Sequence, residues 1–337
     1  MKTIIHLVEE GKYSDINEIV AFFENSPEMN VLGRHEVVEV KRGGWKTPQV
    51  EADMIVSHLA VCWKNFPFFV ALRASYARAP IVHVEHDWSG AYVKSIRRMP
   101  GVTALLKASF ALFDRVVAVS DAQAKWLDRA GVVPDQKLRA IRACIRLDRY
   151  LGVAPKTRSG PLTIGAIGDL NNQAGLDILI EAMRKVSPET AELIIWGEGG
   201  EHEALEKLAG DMSHVALAGE PATPEGAYAA CDVVAIPARW APSGLRALIA
   251  HAAARPTLTS QIDGLPEYAI DGGYEVTANT PEAWAELIIE MADQNLSTKS
   301  DFARFAAEGA ERHFYAQWRM VVDELFSDTF TGEADAA

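Results

Sequence analysis

Cysteine is scarce in this chain of 337 residues: Cys62, Cys144 and Cys231 are the three. They lie far apart, are odd in number and lack metal-ligand spacing, which excludes a disulfide framework and points to buried, reduced thiols in the cytoplasm. Long apolar runs are missing too. None approaches the roughly 18 residues of a membrane span, and the opening MKTIIHLVEEGKYSD meets acidic residues too early for a signal peptide. Positive charge is outnumbered, with 33 Lys and Arg against 46 Asp and Glu for a net charge of −13. A nucleic-acid backbone needs clustered cations, so non-specific nucleic-acid binding is excluded. The one basic cluster is Lys94, Arg97 and Arg98.

What the chain does have is apolar content, 49% of residues, and a length too great for one ordinary core, so two domains are expected. Short apolar runs alternate with helical stretches. In the first half the strands are expected at Thr3–Val8, Glu36–Val40, Asp53–Val56, Ile81–Val84, Asp114–Ser120 and Lys137–Ile141. Helices are expected over Ser14–Phe23, Phe69–Ala77 and Lys94–Phe113, the last basic and aromatic on part of its surface. The stretch GVAPKTRSGP has a linker's composition, and strand–helix alternation restarts after Pro161. Two doubly wound α/β domains follow from this pattern.

The most informative stretch is DVVAIPARWAPSGLRALIAHAAARPTLTSQIDGLPE, from Asp232 to Glu267. Val233–Ile236 reads as a buried parallel strand, Ser243 as a helix N-cap, Gly244–Ala254 as a helix stopped by Pro256, and Thr257–Ser260 as the next strand. In an open parallel sheet, the loop and first helical turn of such a unit favour an anionic ligand through backbone N–H groups and the helix dipole.

This run resembles the donor-binding segment of glycosyltransferase family 4, the retaining GT-B enzymes, whose pattern is P-S-x-W-E-G-F-G-L-x-x-L-E-A-M-A-x-G-x-P and then G-G-x-x-E. Pro237, Arg239, Trp240, Gly244, Leu245, Leu248, Ala250, Ala252 and Pro256 fall in register, whereas Ala241 and Ile249 stand where the family has glutamates. Asp114–Ser120 is similar to the family's DRVVAVS strand. Gly168–Gly175 resembles its GRLxxxKG turn, with Asp169 and Ala174 in place of the arginine and lysine that clamp the donor diphosphate. His86 and Asp87, after the strand Ile81–Val84, resemble the active-site histidine segment; a strand-end histidine tied to a carbonyl is the other reading of His86.

The resemblance implies a GT-B fold: residues 1–155 as an acceptor domain completed by a helix over 312–330, and 156–311 as a nucleotide-sugar domain. It implies transfer of a sugar from a nucleotide-sugar donor to a glycan, lipid-linked or other carbohydrate acceptor, with no cofactor beyond that substrate. No Asp-x-Asp pair asks for a metal. The implied residues are His86 and Asp87 at the reacting sugar, with Gly168, Arg239, Ser243, Gly244, Leu245, Arg246 and Glu267 around the donor. Arg239 and Arg246 would substitute for the missing cations, although Arg246 also reads as a surface residue. The resemblance leaves open a peripheral contact of Lys94–Phe113 with the inner face of the membrane, against a solvated helix face, and a partner glycosyltransferase. The reading of another class is a GT-B pseudo-enzyme that binds a glycan or a partner without catalysis.

Overall fold

The computed structural model describes residues 1–11, 15–96 and 101–332; Ser14, Arg97 and Arg98 lie outside these. The chain divides into two compact units. The first runs to Arg146 and takes in the C-terminal segment from Glu311; the second is Leu147–Ala310.

The first unit holds strands β1 (Thr3–Glu9), β2 (Arg34–Val40), β3 (Met54–Ser57), β4 (Ile81–Glu85), β5 (Arg115–Ala118) and β6 (Leu138–Ala140). They pair in parallel in the order β2-β1-β3-β4-β5-β6. The second holds β7 (Leu162–Ile167), β8 (Ala191–Trp196), β9 (Val215–Gly219), β10 (Val233–Ile236), β11 (Thr257–Thr259) and β12 (Gly273–Glu275), also parallel, ordered β12-β11-β10-β7-β8-β9. Strand order reverses beside β1 in one sheet and beside β7 in the other. In an open α/β sheet the crevice at such a reversal, outside the carboxyl ends of the strands, is where ligands bind.

Both sheets are covered by helices, which is why their central strands are apolar nearly throughout rather than alternating. On one face of the first sheet Ile5, Leu7, Ile55, Ile81 and Val116 pack with Phe68, Phe69, Phe110 and Phe113. The opposite face, where His6 lies, is covered by the helix Asp15–Asn25 and the final helix Ala310–Gly332. Trp318 of the final helix meets Phe23 edge to face at 5.0 Å, and Glu324 pairs with Arg115 and Arg139. In the second unit Trp284 is fully buried among Leu179, Met183, Leu193 and Ile288. Each such side chain contributes about 1.5–3 kcal/mol.

Several local differences from expectation have physical reasons. Residues 147–155 group with the second unit because Tyr150 packs edge-on to Tyr228 at 5.4 Å, and Arg255 donates to the Ala154 carbonyl at 3.1 Å. The stretch 94–113 is not one helix: Gly90–Ser95 ends before Ile96, and Val102–Ala111 starts behind Gly101, whose φ of +83° is left-handed. Cys144 and Cys231 are buried free thiols, and burial pushes the Cys231 thiol up to about 12, but Cys62 is only partly covered.

Candidate functional site

In the second unit the chemistry-bearing residues gather at the carboxyl ends of β7 and β10, the strands flanking the reversal of order. β7 runs straight into Gly168, whose φ of +142° no other residue adopts readily. Its bare Cα lets another side chain come close: a Cβ added there would stand 3.1 Å from Cζ of Arg246. The guanidinium of Arg246 therefore lies against the Gly168 backbone, so two residues that are 78 positions apart form one surface.

Arg246 sits in the first turn of the helix Leu245–Ala252. The cap of that helix is Gly244, without a side-chain cap hydrogen bond, rather than the Ser243 expected to cap it. The reason is steric, since a Cβ on Gly244 would stand 2.1 Å from Cε2 of Tyr268, and only glycine lets that ring close over the helix start. Tyr268 follows Glu267, one residue into the helix Pro266–Gly272. Ser243, Gly244, Leu245, Arg246 and Glu267 thus belong to two helix starts joined by a glycine–tyrosine contact. A helix start without a side-chain cap directs its first N–H groups outward as an anion site.

Arg239 has a different environment. Its guanidinium takes Asp177 in a two-point pair, Nη1 to Oδ1 at 2.8 Å and Nη2 to Oδ2 at 2.6 Å, and Nη1 also donates to the Asn172 carbonyl at 2.9 Å. Its backbone N–H donates to Gln173 O at 2.8 Å, and Gln173 Nε2 returns a bond to Trp240 O at 3.1 Å. The Arg239 guanidinium holds the Asp177 carboxyl below the usual carboxylate range. Arg239 as placed locks the loop after β10 onto the loop after β7. Asn279, from beyond β12, braces the loop after β10 separately, its Nδ2 donating to the carbonyls of Pro237 and Ala238 at 3.1 and 3.2 Å.

At the two positions where the family's glutamates would stand, Ile249 is buried, whereas Ala241 N–H donates to Asp263 Oδ2 at 3.0 Å. Asp263 adopts a φ of +45°, a conformation that aspartate tolerates better than most residues, and so brings a carboxylate to the Ala241 backbone from the next loop. Sequence reasoning missed Asp263, Asp177 and Tyr268. The one legible signal was Asp263-Gly264 after a strand, a turn pair.

In the first unit β4 delivers Glu85, His86, Asp87 and Trp88 to the carboxyl edge. Glu85 is buried and its Oε1 accepts from the N–H groups of Asp87 and Trp88, both at 2.8 Å. Gln123 Nε2 donates to the carbonyls of Glu85 and Trp88 at 3.1 and 2.8 Å, and Trp88 Nε1 donates to Val61 O at 2.9 Å. This turn holds His86 rigidly. Asp87 is exposed and lines, with Val8, Glu9, Asn17 and His58, a cavity of about 30 Å³ at the end of β1, large enough for one water.

His86 does not stand alone. His86 Nε2 is 3.0 Å from His58 Nδ1, His58 Nε2 is 3.0 Å from His6 Nδ1, and His6 Nε2 is 2.9 Å from His35 Nδ1. The row ends with His35 Nε2 at 3.1 Å from the Met29 carbonyl. Burial first, and the neighbouring His83 second, lower the pKa of His86 to about 3. Burial likewise drives His6 and His58 well below the ordinary value and lowers His35. The other three histidines were not picked out in the sequence, because the row exists only once strand order and register are known.

Known proteins resemble this chain in sequence and in fold. A family model described as Glycosyl transferases group 1 matches residues 161–294, in the second unit. One described as Glycosyltransferase Family 4 matches residues 49–149, nearly all in the first unit. A D-inositol 3-phosphate glycosyltransferase of Corynebacterium jeikeium is 32% identical over 164 residues, 44% of this chain and 38% of that protein. A glycogen synthase 2 of Geobacter metallireducens is 32% identical over 142 residues, 40% of this chain and 28% of that protein. The chain therefore spans well under half the length of these relatives. Anabaena Alr3699/HepE in complex with UDP-glucose shares the fold, with a TM-score of 0.71 at 19% identity over 97% of this chain and 100% of that one. The chain thus carries a glycosyltransferase family 4 segment in its first unit and a glycosyl transferases group 1 segment in its second, on the GT-B fold.

Proposed function

We propose that this protein transfers a sugar from a nucleoside-diphosphate sugar to a carbohydrate acceptor. The observation that carries the reading is the contact of Arg246 with Gly168, at the strand-order reversal and beside a helix start with no side-chain cap. A diphosphate brings about two negative charges, and departure of the leaving group concentrates them, so a fixed cation and oriented N–H groups stabilise the transition state. Arg246 supplies the cation; Ser243, Gly244 and Leu245 supply backbone donors. Gly168 lets the phosphate approach the β7 loop, and Glu267 takes the ribose or base. Arg239 acts by holding the loop in place. No metal is needed, because charge compensation comes from the side chain and the helix.

His86, with Asp87 beside it, serves the reacting sugar. Its Nδ1 lone pair accepts a hydrogen bond from a sugar hydroxyl and stabilises positive charge developing at the anomeric carbon. The acceptor is a glycan, a lipid-linked glycan or another carbohydrate. Among the described residues no helix is long and apolar enough to cross a membrane.

A second reading, a glycan-binding or partner-binding protein without catalysis, is favoured by one observation: the Arg239 fork is engaged by Asp177, while Asp169 and Ala174 stand at the family's cation positions. The deciding experiment incubates the protein with a panel of nucleotide sugars and measures free nucleoside diphosphate. Release from at least one donor, abolished in Arg246→Ala, supports transfer. Absence of release, together with retained glycan binding, selects the second reading.

A further inference from the structure

His35 and His6 lie in β2 and β1, His58 and His86 stand one residue past the ends of β3 and β4, and the four positions follow a rule. His6 pairs across the sheet with Val37 of β2 and with Val56 of β3. His35 lies two residues before Val37, and His58 two residues beyond Val56. Ser57 pairs with His83 of β4, so His86 again lies two residues beyond the level of His58. Each strand carries its histidine two residues further toward the carboxyl edge. A step of two keeps the side chain on one face of a pleated sheet.

Spacing then does the rest. Strands about 4.8 Å apart with a two-residue offset put successive histidines diagonally across the sheet, and their side chains reach toward one another until the ring centroids are 5.1, 5.3 and 5.3 Å apart. That distance fits one imidazole plus one hydrogen bond. Phe23 closes the face over the row, 4.5 Å from His6, 5.4 Å from His35 and 6.5 Å from His58. The row runs from the interior to His86, which is partly open to solvent.

The direction of the row follows from its inner end. A carbonyl only accepts, so His35 Nε2 carries the hydrogen that goes to Met29 O. In a neutral ring Nδ1 is then the lone pair, which obliges His6 Nε2 to carry hydrogen. The same step repeats at His58 and at His86. All four N–H groups point inward, all four rings are Nε2–H tautomers, and His86 presents an unprotonated Nδ1.

We propose that His35, His6 and His58 are positioning residues, a row across the sheet that lets the Met29 carbonyl dictate the tautomer of His86. The proposal deepens the reading of His86 as a sugar-facing acceptor and rests on it for its catalytic meaning. The tautomer itself stands apart from that reading. Without the row an isolated histidine exchanges between tautomers, and a part of the population offers a donor where the ligand hydroxyl needs an acceptor.

The row also has one well-defined excited state. When a proton binds His86 Nδ1, His86 Nε2 releases its hydrogen to His58 Nδ1, His58 Nε2 to His6 Nδ1, and His6 Nε2 to His35 Nδ1. The charge then rests on His35, whose Nε2–H stays on Met29 O. One N–H bond breaks for each one formed within the row, and no other reactant is involved.

The test uses the full chain labelled with 15N-histidine, without ligand, so its outcome does not depend on transferase activity. Nitrogen chemical shifts and ring couplings identify the protonated nitrogen of each ring, with His86 assigned by its loss in His86→Gln. The expected result is Nε2–H on all four rings. In His35→Gln the side-chain amide still donates to Met29 O and accepts from His6, so His86 stays Nε2–H. In His35→Phe the acceptor is gone, His6 turns its hydrogen toward His58, and His86 shifts to Nδ1–H. Donor turnover in His35→Phe should fall in kcat with KM little changed, and recover in His35→Gln. A wild-type spectrum with Nδ1–H on any of the four overturns the proposal, even if His35→Phe does not fold. So does a His86 tautomer indifferent to His35→Phe. Correct tautomers in a protein that turns over no nucleotide sugar would uphold the row and overturn the function assigned to His86.

Discussion

Arg239 grips Asp177 with both arms of its guanidinium, at 2.8 and 2.6 Å. The pair joins the loop after β10 to the start of the helix Leu176–Met183, and it is partly exposed, at 30% and 42% of side-chain surface. Solvent screening then limits its strength, and a double-mutant cycle with Arg239→Ala and Asp177→Ala should return a coupling of about 1 kcal/mol in urea unfolding. Arg239→Lys should not restore it, because an ammonium lacks the two-point fork. A coupling near zero would mean that the two loops are held together by the Gln173 bonds to Arg239 and Trp240 rather than by the ion pair.

The contact between Gly168 and Arg246 yields a sharper expectation. In Gly168→Ala the new methyl would meet the guanidinium at 3.1 Å, and the backbone would be held at a φ of +142°. Backbone strain of this kind costs on the order of 1–3 kcal/mol. Affinity for a nucleoside diphosphate should fall while affinity for the nucleoside changes little. Calorimetric titration with both ligands separates a displaced cation from a general loosening.

Gly244 and Tyr268 test how tightly the helix start is built. An alanine methyl would stand 2.1 Å from the ring, so Gly244→Ala forces either the ring or the helix to move. Overpacking of this sort costs about 1–3 kcal/mol. Tyr268→Ala should relieve it, leaving the double variant more stable than the sum of the two single changes predicts. Simple additivity in thermal unfolding would place the ring elsewhere.

How much of this was legible in the sequence depends on whether the cause is local. β10 was readable to the residue, because a short apolar run bounded by Asp and Pro leaves little choice. The three-residue strand Gly273–Glu275 and the four-residue helix Pro27–Asn30 were not, since both are too short to carry a period, and the strand forms on the edge that β11 already presents. Ser243 has the chemistry of a cap, yet the cap is Gly244, because the ring that demands a glycine comes from 24 residues away. Arg239 and Arg246 looked alike as spare cations; only the fold separates the one paired with Asp177 from the one lying on Gly168. The histidine row is the extreme case. His6, His35, His58 and His86 have no common spacing along the chain, and their alignment depends on the order β2-β1-β3-β4.

The buried histidines make a prediction about pH. Their folded pKa values lie below the unfolded value near 6.5, to about 3 for His86 and about 4 for His251. Above pH 6.5 neither state binds the protons and nothing is lost. As pH falls below 6.5 the unfolded chain takes up protons that the folded chain refuses, so stability declines until the folded values are reached. Each such histidine contributes a slope of roughly 1.4 kcal/mol per pH unit. Urea midpoints should drop steeply between pH 6.5 and 5, and the drop should be shallower in His251→Gln. A flat profile over this range would show that the rings are charged or solvated in the folded protein.

The central claim is that the second unit binds a nucleoside diphosphate through Arg246 at the reversal of strand order. Isothermal titration calorimetry of the full chain with a set of nucleoside diphosphates, repeated on Arg246→Ala, tests it most directly. We expect at least one nucleoside diphosphate to bind the natural protein. Arg246→Ala should weaken it by roughly 1–3 kcal/mol, the range for a charge-assisted hydrogen bond, while the matching nucleoside is nearly unaffected. If no nucleoside diphosphate binds the natural protein, but one does bind the double variant Asp169→Arg, Ala174→Lys, the site has lost its donor and the claim is wrong.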